Sequence, residues 1–234
     1  MSEQPGSVQG NVAAIRERIE KAATRAGRRA ENVTLVAVSK TIPAERIQEA
    51  YSAGVRHFGE SRTQEWETKA PLLAGLDATW HLVGHLQRNK AARALTLFHE
   101  IDSLDTLPLA EKLERGASDG RRLPVLIEVR LDAKGKKAGC DPGELPRLAE
   151  GLLLMPHLEL RGLMTVPPQV KDVAEARPYF RQLRELRDSL AAQVKIPLPE
   201  LSMGMSRDFE IAIEEGATQI RVGTAVFGER PLDR

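Results

Sequence analysis

The sequence is poor in cysteine, aromatic side chains, long apolar runs and net charge. Its single cysteine, Cys140, excludes an intrachain disulfide framework and fits a reducing compartment. Aromatic residues make up 4% of the chain, too few to interleave with its basic segments as a stacking platform for nucleic acid. The formal net charge is +1, so no global field favours nucleic acid or an anionic membrane. No apolar, uncharged stretch is long enough to span a bilayer, and the N-terminal MSEQPGSVQG lacks a basic and apolar signal pattern. The expectation is a soluble, cytoplasmic protein with a loose segment at 1–10. The five histidines, His57, His81, His85, His99 and His157, show no helical i, i+4 pairing and have no cysteine partners. His81 and His85 have that spacing but span a strand end, so no metal site is expected.

What is present is organised around Thr34-Leu-Val-Ala-Val-Ser-Lys40. A continuous apolar run of this kind reads as a strand buried on both faces, as in a parallel sheet. Pro43 then opens a helix over Ala44 to Ala53. Lys40 therefore ends a buried strand, at the sheet edge that carries chemistry in α/β proteins. A partly desolvated lysine there can form a Schiff base with an aldehyde. Taken alone, the stretch equally fits a surface lysine that ends a strand.

The same strand–helix unit recurs along the chain. Strands are expected at Thr34–Lys40, Val55–Phe58, Thr79–Gly84, Leu97–Ile101, Leu123–Leu131, Leu158–Met164, Glu200–Met203 and Gln219–Val222, with helices between them and one before them at Asn11–Gly27. Eight alternating units over 11–230 predict a single-domain (β/α)8 TIM barrel with an extra N-terminal helix covering it. An open doubly wound sheet is the alternative, because strand order is not visible in a sequence.

In a barrel the strand ends share one mouth. The loops after strands seven and eight, Ser202-Met-Gly-Met-Ser206 and Arg221-Val-Gly-Thr224, then supply glycines, hydroxyls and backbone N–H groups suited to a phosphate. Ser206 also has the ordinary reading of a helix cap. A Schiff-base lysine opposite a phosphate cup describes a site for pyridoxal 5′-phosphate (PLP), or an aldolase holding a sugar phosphate.

Several motifs together resemble the pyridoxal phosphate homeostasis protein family, whose fold is similar to the N-terminal barrel of bacterial alanine racemase. They are Val-Ser-Lys40, Phe-Gly-Glu-Ser61 with Gln64-Glu65, Trp80-His81 with Leu-Gln-Arg-Asn-Lys90, Gly162-Leu-Met164, Ser202 to Ser206 with Asp208, and Arg221-Val-Gly-Thr224 with Phe227-Gly228. The resemblance implies that Lys40 is the Schiff-base lysine and that Ser202, Ser206, Gly223 and Thr224 hold the phosphate. It also implies Arg221 near the pyridine nitrogen, Met164 packed beside the ring and His81 near it. Two departures stand out. Ser61 replaces the family's usual asparagine, which weakens or water-bridges the contact near the ring hydroxyl. The family's acidic loop reads Lys134-Gly-Lys-Lys-Ala-Gly139 here, with only Lys137 and Gly139 matching.

The chemistry favours a carrier over an enzyme. An arginine at the ring nitrogen cannot donate a proton as an acid would, which makes the ring a poorer electron sink. Alanine racemases take a second base, a tyrosine, from a separate C-terminal domain, and this sequence offers no counterpart. Tyr51 and Tyr179 fall within helices. The expectation is a monomer that binds and buffers PLP and delivers it transiently to apo-enzymes. The enzyme alternative is a racemase-like enzyme or a Schiff-base aldolase, with His81 or Glu60 as acid or base. An RNA-binding reading of Arg25 to Arg29, Arg88 to Arg93 and Lys134 to Lys137 is disfavoured, because these segments read as solvated faces.

Overall fold

The structure is a computed structural model and describes residues 6–117, 120, 122–132 and 138–229. The Lys134–Lys137 part of the basic loop lies outside these residues. Eight strands are present: β1 (Thr34–Val38), β2 (His57–Glu60), β3 (Thr79–Leu82), β4 (Glu100–Leu104), β5 (Leu123–Glu128), β6 (Leu158–Met164), β7 (Glu200–Ser202) and β8 (Gln219–Val222). Each pairs in parallel with the next, and β8 pairs with β1 to close the ring. Closure removes the open-sheet alternative.

The helices are α1 (Val8–Arg25), α2 (Ala44–Ser52), α3 (Thr63–Lys69), α4 (Ala91–Leu97), α5 (Leu107–Gly116), α6 (Leu145–Leu153), α7 (Arg177–Val194), α8 (Phe209–Glu214) and α9 (Thr224–Phe227). α1 begins at Val8 rather than Asn11, because the Ser7 hydroxyl accepts the Gly10 N–H and caps the helix. Residues 8–10, expected to be loose, are therefore helical. The expected apolar stripe is buried, from Val12 through Ile15 and Ile19 to Ala22 and Ala23. α1 packs on α8, α9 and α2. The helix after β8 has only four residues, so α1 fills the gap that this leaves in the outer ring. It covers the barrel there as part of the outer ring.

Outward-facing strand residues form the core beneath the helices. Behind β2 and β3, Trp80 stacks on Trp66 at 3.9 Å and on Phe58 at 5.0 Å, and the Trp66 indole N–H donates to the Leu97 carbonyl. The inward faces differ sharply. Strand tilt places alternate strands in layers of four. The register assigns Val36, His81, Leu126 and Ser202 to one layer, and Gly59, Asp102, Met164 and Arg221 to the layer above, nearer the mouth.

This polar lumen explains the largest boundary error. The Leu97–Ile101 run was expected to be strand four, but Leu97 closes α4 and β4 starts at Glu100. Glu100, Ile101 and Asp102 alternate polar and apolar at the start of β4, in place of a continuous apolar run. β2 likewise extends to Glu60, and β1 ends at Val38, which leaves Lys40 in the turn beyond it.

Candidate functional site

Lys40 is half-buried at the carboxyl end of β1, in a turn held from below. The next residue, Thr41, has φ 64°, a left-handed conformation that costs a non-glycine residue energy. Its N–H donates to Glu65 Oε1. Lys69 Nζ donates to Glu60 Oε1 at 2.7 Å, Glu65 Oε1 at 2.9 Å and the Ser39 carbonyl at 3.0 Å, while Ser39 Oγ donates to Glu60 at 2.8 Å. Burial pushes the Glu60 carboxyl up, and Lys69 opposes it. Glu60 is thus a bracket for the lysine turn, and its bond to Lys69 leaves it badly placed as an acid or base. The signal for this bracket was the i, i+4 pair Glu65 and Lys69 on α3.

Across the mouth, the loops after β7 and β8 meet. Ser206 Oγ accepts the Ala225 N–H at 3.3 Å, which leaves its own proton free to donate. Gly223 is where β8 turns into α9, and a Cβ there would lie 3.3 Å from the Val38 carbonyl oxygen, so glycine lets this loop approach the Lys40 strand. Thr224 is exposed beside it.

Ser202 is expected at the phosphate with Ser206, and the structure places it one layer into the barrel beside Arg221. It is fully buried in the lumen, and its hydroxyl accepts from Arg221 NH1 at 2.7 Å. Arg221 NH2 donates to the Thr165 carbonyl, also at 2.7 Å. Burial lowers the Arg221 pKa, and Asp102, Glu128 and Asp208 counter this. Arg221 is therefore a fixed, desolvated cation beneath the mouth, with Met164 in its layer.

His81 is in the layer below and fully buried, not satisfied by backbone. Its Nδ1 lies 3.2 Å from Asp102 Oδ1 and 3.5 Å from Glu100 Oε2, and its Nε2 lies 3.0 Å from His57 Nδ1. His81 thus sits one layer below Arg221 and Met164 and is tied to Asp102 of that upper layer. The other oxygen of Asp102 has no protein hydrogen-bond partner. One nitrogen and two carboxylate oxygens within 4.8 Å of one another were invisible to a search for helical metal spacing, because two strands bring them together.

Burial lowers the His81 pKa, but Asp102, Glu100 and Glu200 outweigh it and the net direction is up. Burial pushes Glu100 up from 4.5 to about 7. Both groups bind protons more tightly folded than unfolded. Their stabilisation is present below the unfolded values and is lost as pH rises through the folded ones. Urea unfolding should therefore show stability falling as pH rises from about 4.5 to about 7, the Glu100 window. Glu100→Gln should flatten that slope. An unchanged slope in the variant would assign the titration to other groups.

The remaining expected residue, Ser61, follows β2 and is half-buried at the mouth. Among the described residues, no helix is long and apolar enough to cross a membrane.

The family model of the alanine racemase N-terminal domain matches residues 10–231. The pyridoxal phosphate homeostasis protein of Aquifex aeolicus is 45% identical over 217 residues, covering 92% of this chain and 95% of the relative. The protein of the same name from Pseudomonas aeruginosa is 42% identical over 221 residues, covering 94% of each. Among solved structures, PipY of Synechococcus elongatus with PLP bound aligns with a TM-score of 0.84 at 41% identity, over 94% of this chain and all of that one (100%). An alanine racemase of Clostridium difficile shares the fold at 15% identity, with a TM-score of 0.74 over 97% of this chain and 58% of that one. On the sequence identity and near-complete coverage of these relatives, the chain belongs to the pyridoxal phosphate homeostasis protein family, built on the alanine racemase N-terminal barrel.

Proposed function

We propose that this chain binds PLP and buffers it without turnover, as one cofactor-binding barrel over 11–230. Lys40 holds the aldehyde as a Schiff base. Ser206, Gly223 and Thr224 receive the phosphate, Arg221 faces the pyridine nitrogen and Met164 packs under the ring. Ser61 reaches the ring hydroxyl through water. Ser202 acts through Arg221, which it orients. The observation that carries this reading is the pairing of a strand-end lysine with a buried guanidinium and a hydroxyl-bearing loop on the neighbouring strand. These donors fit a phosphate and a ring nitrogen that carries no proton. The relative PipY, solved with PLP bound, supports the same reading.

Bound PLP supplies an electrophilic carbonyl and an electron sink, and an arginine partner weakens the sink. Catalysis at the mouth needs a free base, and the candidates are engaged elsewhere. Glu60 is tied to Lys69 and Ser39, and His81 to Asp102. The Tyr51 ring is covered by the Arg56 guanidinium at 4.0 Å, and Tyr179 sits in the outer helix α7. Delivery of PLP to apo-enzymes follows from a site open at one face.

Purified protein should take up PLP and turn yellow, and borohydride should fix the pyridoxyl group on Lys40 by peptide mapping. Incubation of the loaded protein with amino acids should give no turnover. Failure to take up PLP would return the sugar-phosphate aldolase to first place, and racemisation of any amino acid would overturn the carrier.

A further inference from the structure

The motif Leu86-Gln-Arg-Asn-Lys90 has no part in the site above, yet its Leu86, Gln87 and Lys90 line a cleft of about 470 Å³ at the same face of the barrel. The cleft lies between the ends of β2 and β3, on the far side of β1 from the β7 and β8 loops. Its polar lining includes Ser61, Arg62, Gln64, His85, Gln87 and Lys90, with no carboxylate among its lining residues. Two loops form it by unusually close contact. A Cβ on Gly84 would lie 2.4 Å from the Ser61 carbonyl oxygen, so only glycine permits the approach.

The lining is biased toward donors. Thr63 Oγ1 donates to Gln64 Oε1 at 3.0 Å, which occupies the acceptor end of that amide and leaves its N–H₂ end available. Lys90 is half-buried and, among the described residues, has no ion pair. Other cations with comparable cover are paired, Lys69 with Glu60 and Glu65, and Arg161 with Glu159 and Glu200. Arg62 is exposed at the rim and feels Glu65 only at longer range. On the other side, Asp105 is taken by His85 at 3.2 Å. A half-buried lysine with no ion pair among the described residues, in a donor-lined pocket of ligand size, suits an anion.

We propose that this cleft is a second binding site, for the carboxylate or phosphate group of a small molecule, with Lys90 as its principal charge partner and Gln64 and Arg62 as further donors. Ser61 lines both sites, but Lys90, Gln64 and Arg62 have no role in the PLP reading, and the proposal does not depend on it.

The test is calorimetric titration of acetate and of inorganic phosphate into cofactor-free and PLP-loaded protein, against a chloride background. Saturable binding of one oxyanion to both forms is expected. Tighter acetate would identify the ligand as a carboxylate, and tighter phosphate as a phosphate ester. Lys90→Gln should weaken binding about tenfold or more, and Lys90→Arg should keep it, with PLP uptake unchanged in both. An unchanged unfolding midpoint in each variant confirms that the fold is intact. Absence of saturable binding, equal binding by wild type and Lys90→Gln, or binding that vanishes once PLP is loaded would each overturn the proposal. The last result would place the anion in the cofactor's own phosphate cup.

Discussion

Replacing Lys40 with alanine is expected to abolish covalent capture of PLP. The variant should leave added PLP with the spectrum of the free aldehyde, and borohydride should fix no pyridoxyl group on the chain. Affinity should fall at least about a hundredfold, roughly 2.7 kcal/mol, because only the phosphate and ring contacts remain. Stability should stay within about 0.5 kcal/mol of wild type, since the half-buried Lys40 side chain fills no core position. This combination separates a binding role from a structural one. The informative alternative is Lys69, whose ammonium bonds the Ser39 carbonyl in the bracket below the turn. If colour survives in Lys40→Ala and the reduced group maps to Lys69, the anchor has been misassigned.

The second large effect is expected at Arg221. Its guanidinium is buried among Asp102, Glu128 and Asp208, and bonds to Ser202 and to the Thr165 carbonyl. Arg221→Met removes one sign of charge and strands the other, so a loss of roughly 3–5 kcal/mol is expected from chemical denaturation. Adding Asp102→Asn should recover part of that loss, because the most exposed penalty is the buried carboxylate whose second oxygen already lacks a protein partner. PLP uptake by the double variant should be weaker than wild type even where stability has returned. Additive losses in the double variant would show that Asp102 and Arg221 are energetically independent.

The architecture was largely legible in the sequence because its outer face follows simple rules. β6 and β8 fall where their patterns place them, over Leu158–Met164 and Gln219–Val222. The strand-end position of Lys40 and the meeting of the Ser206 and Gly223 loops follow from the unit count alone. The lumen was not legible. Glu100 and Asp102 break the apolar run that identifies a buried strand, so β4 was displaced toward Leu97. The pairing of His81 with Asp102 and His57, and of Ser202 with Arg221, depends on which residues share a layer. Register fixes that, and register appears in no local pattern. Ser202 and Ser206 look equivalent in the chain, yet one faces down into the lumen and the other stands at the mouth.

The aromatic stack behind β2 and β3 has an optical consequence. The chain has two tryptophans, and Trp66 and Trp80 are in face contact at 3.9 Å. All of the protein's indole emission therefore comes from one place, on the outer side of the strands that lead to the mouth. That emission overlaps the absorption band of a pyridoxal chromophore, so an occupied barrel would dim by energy transfer. Loading and unloading become readable in real time without any attached dye.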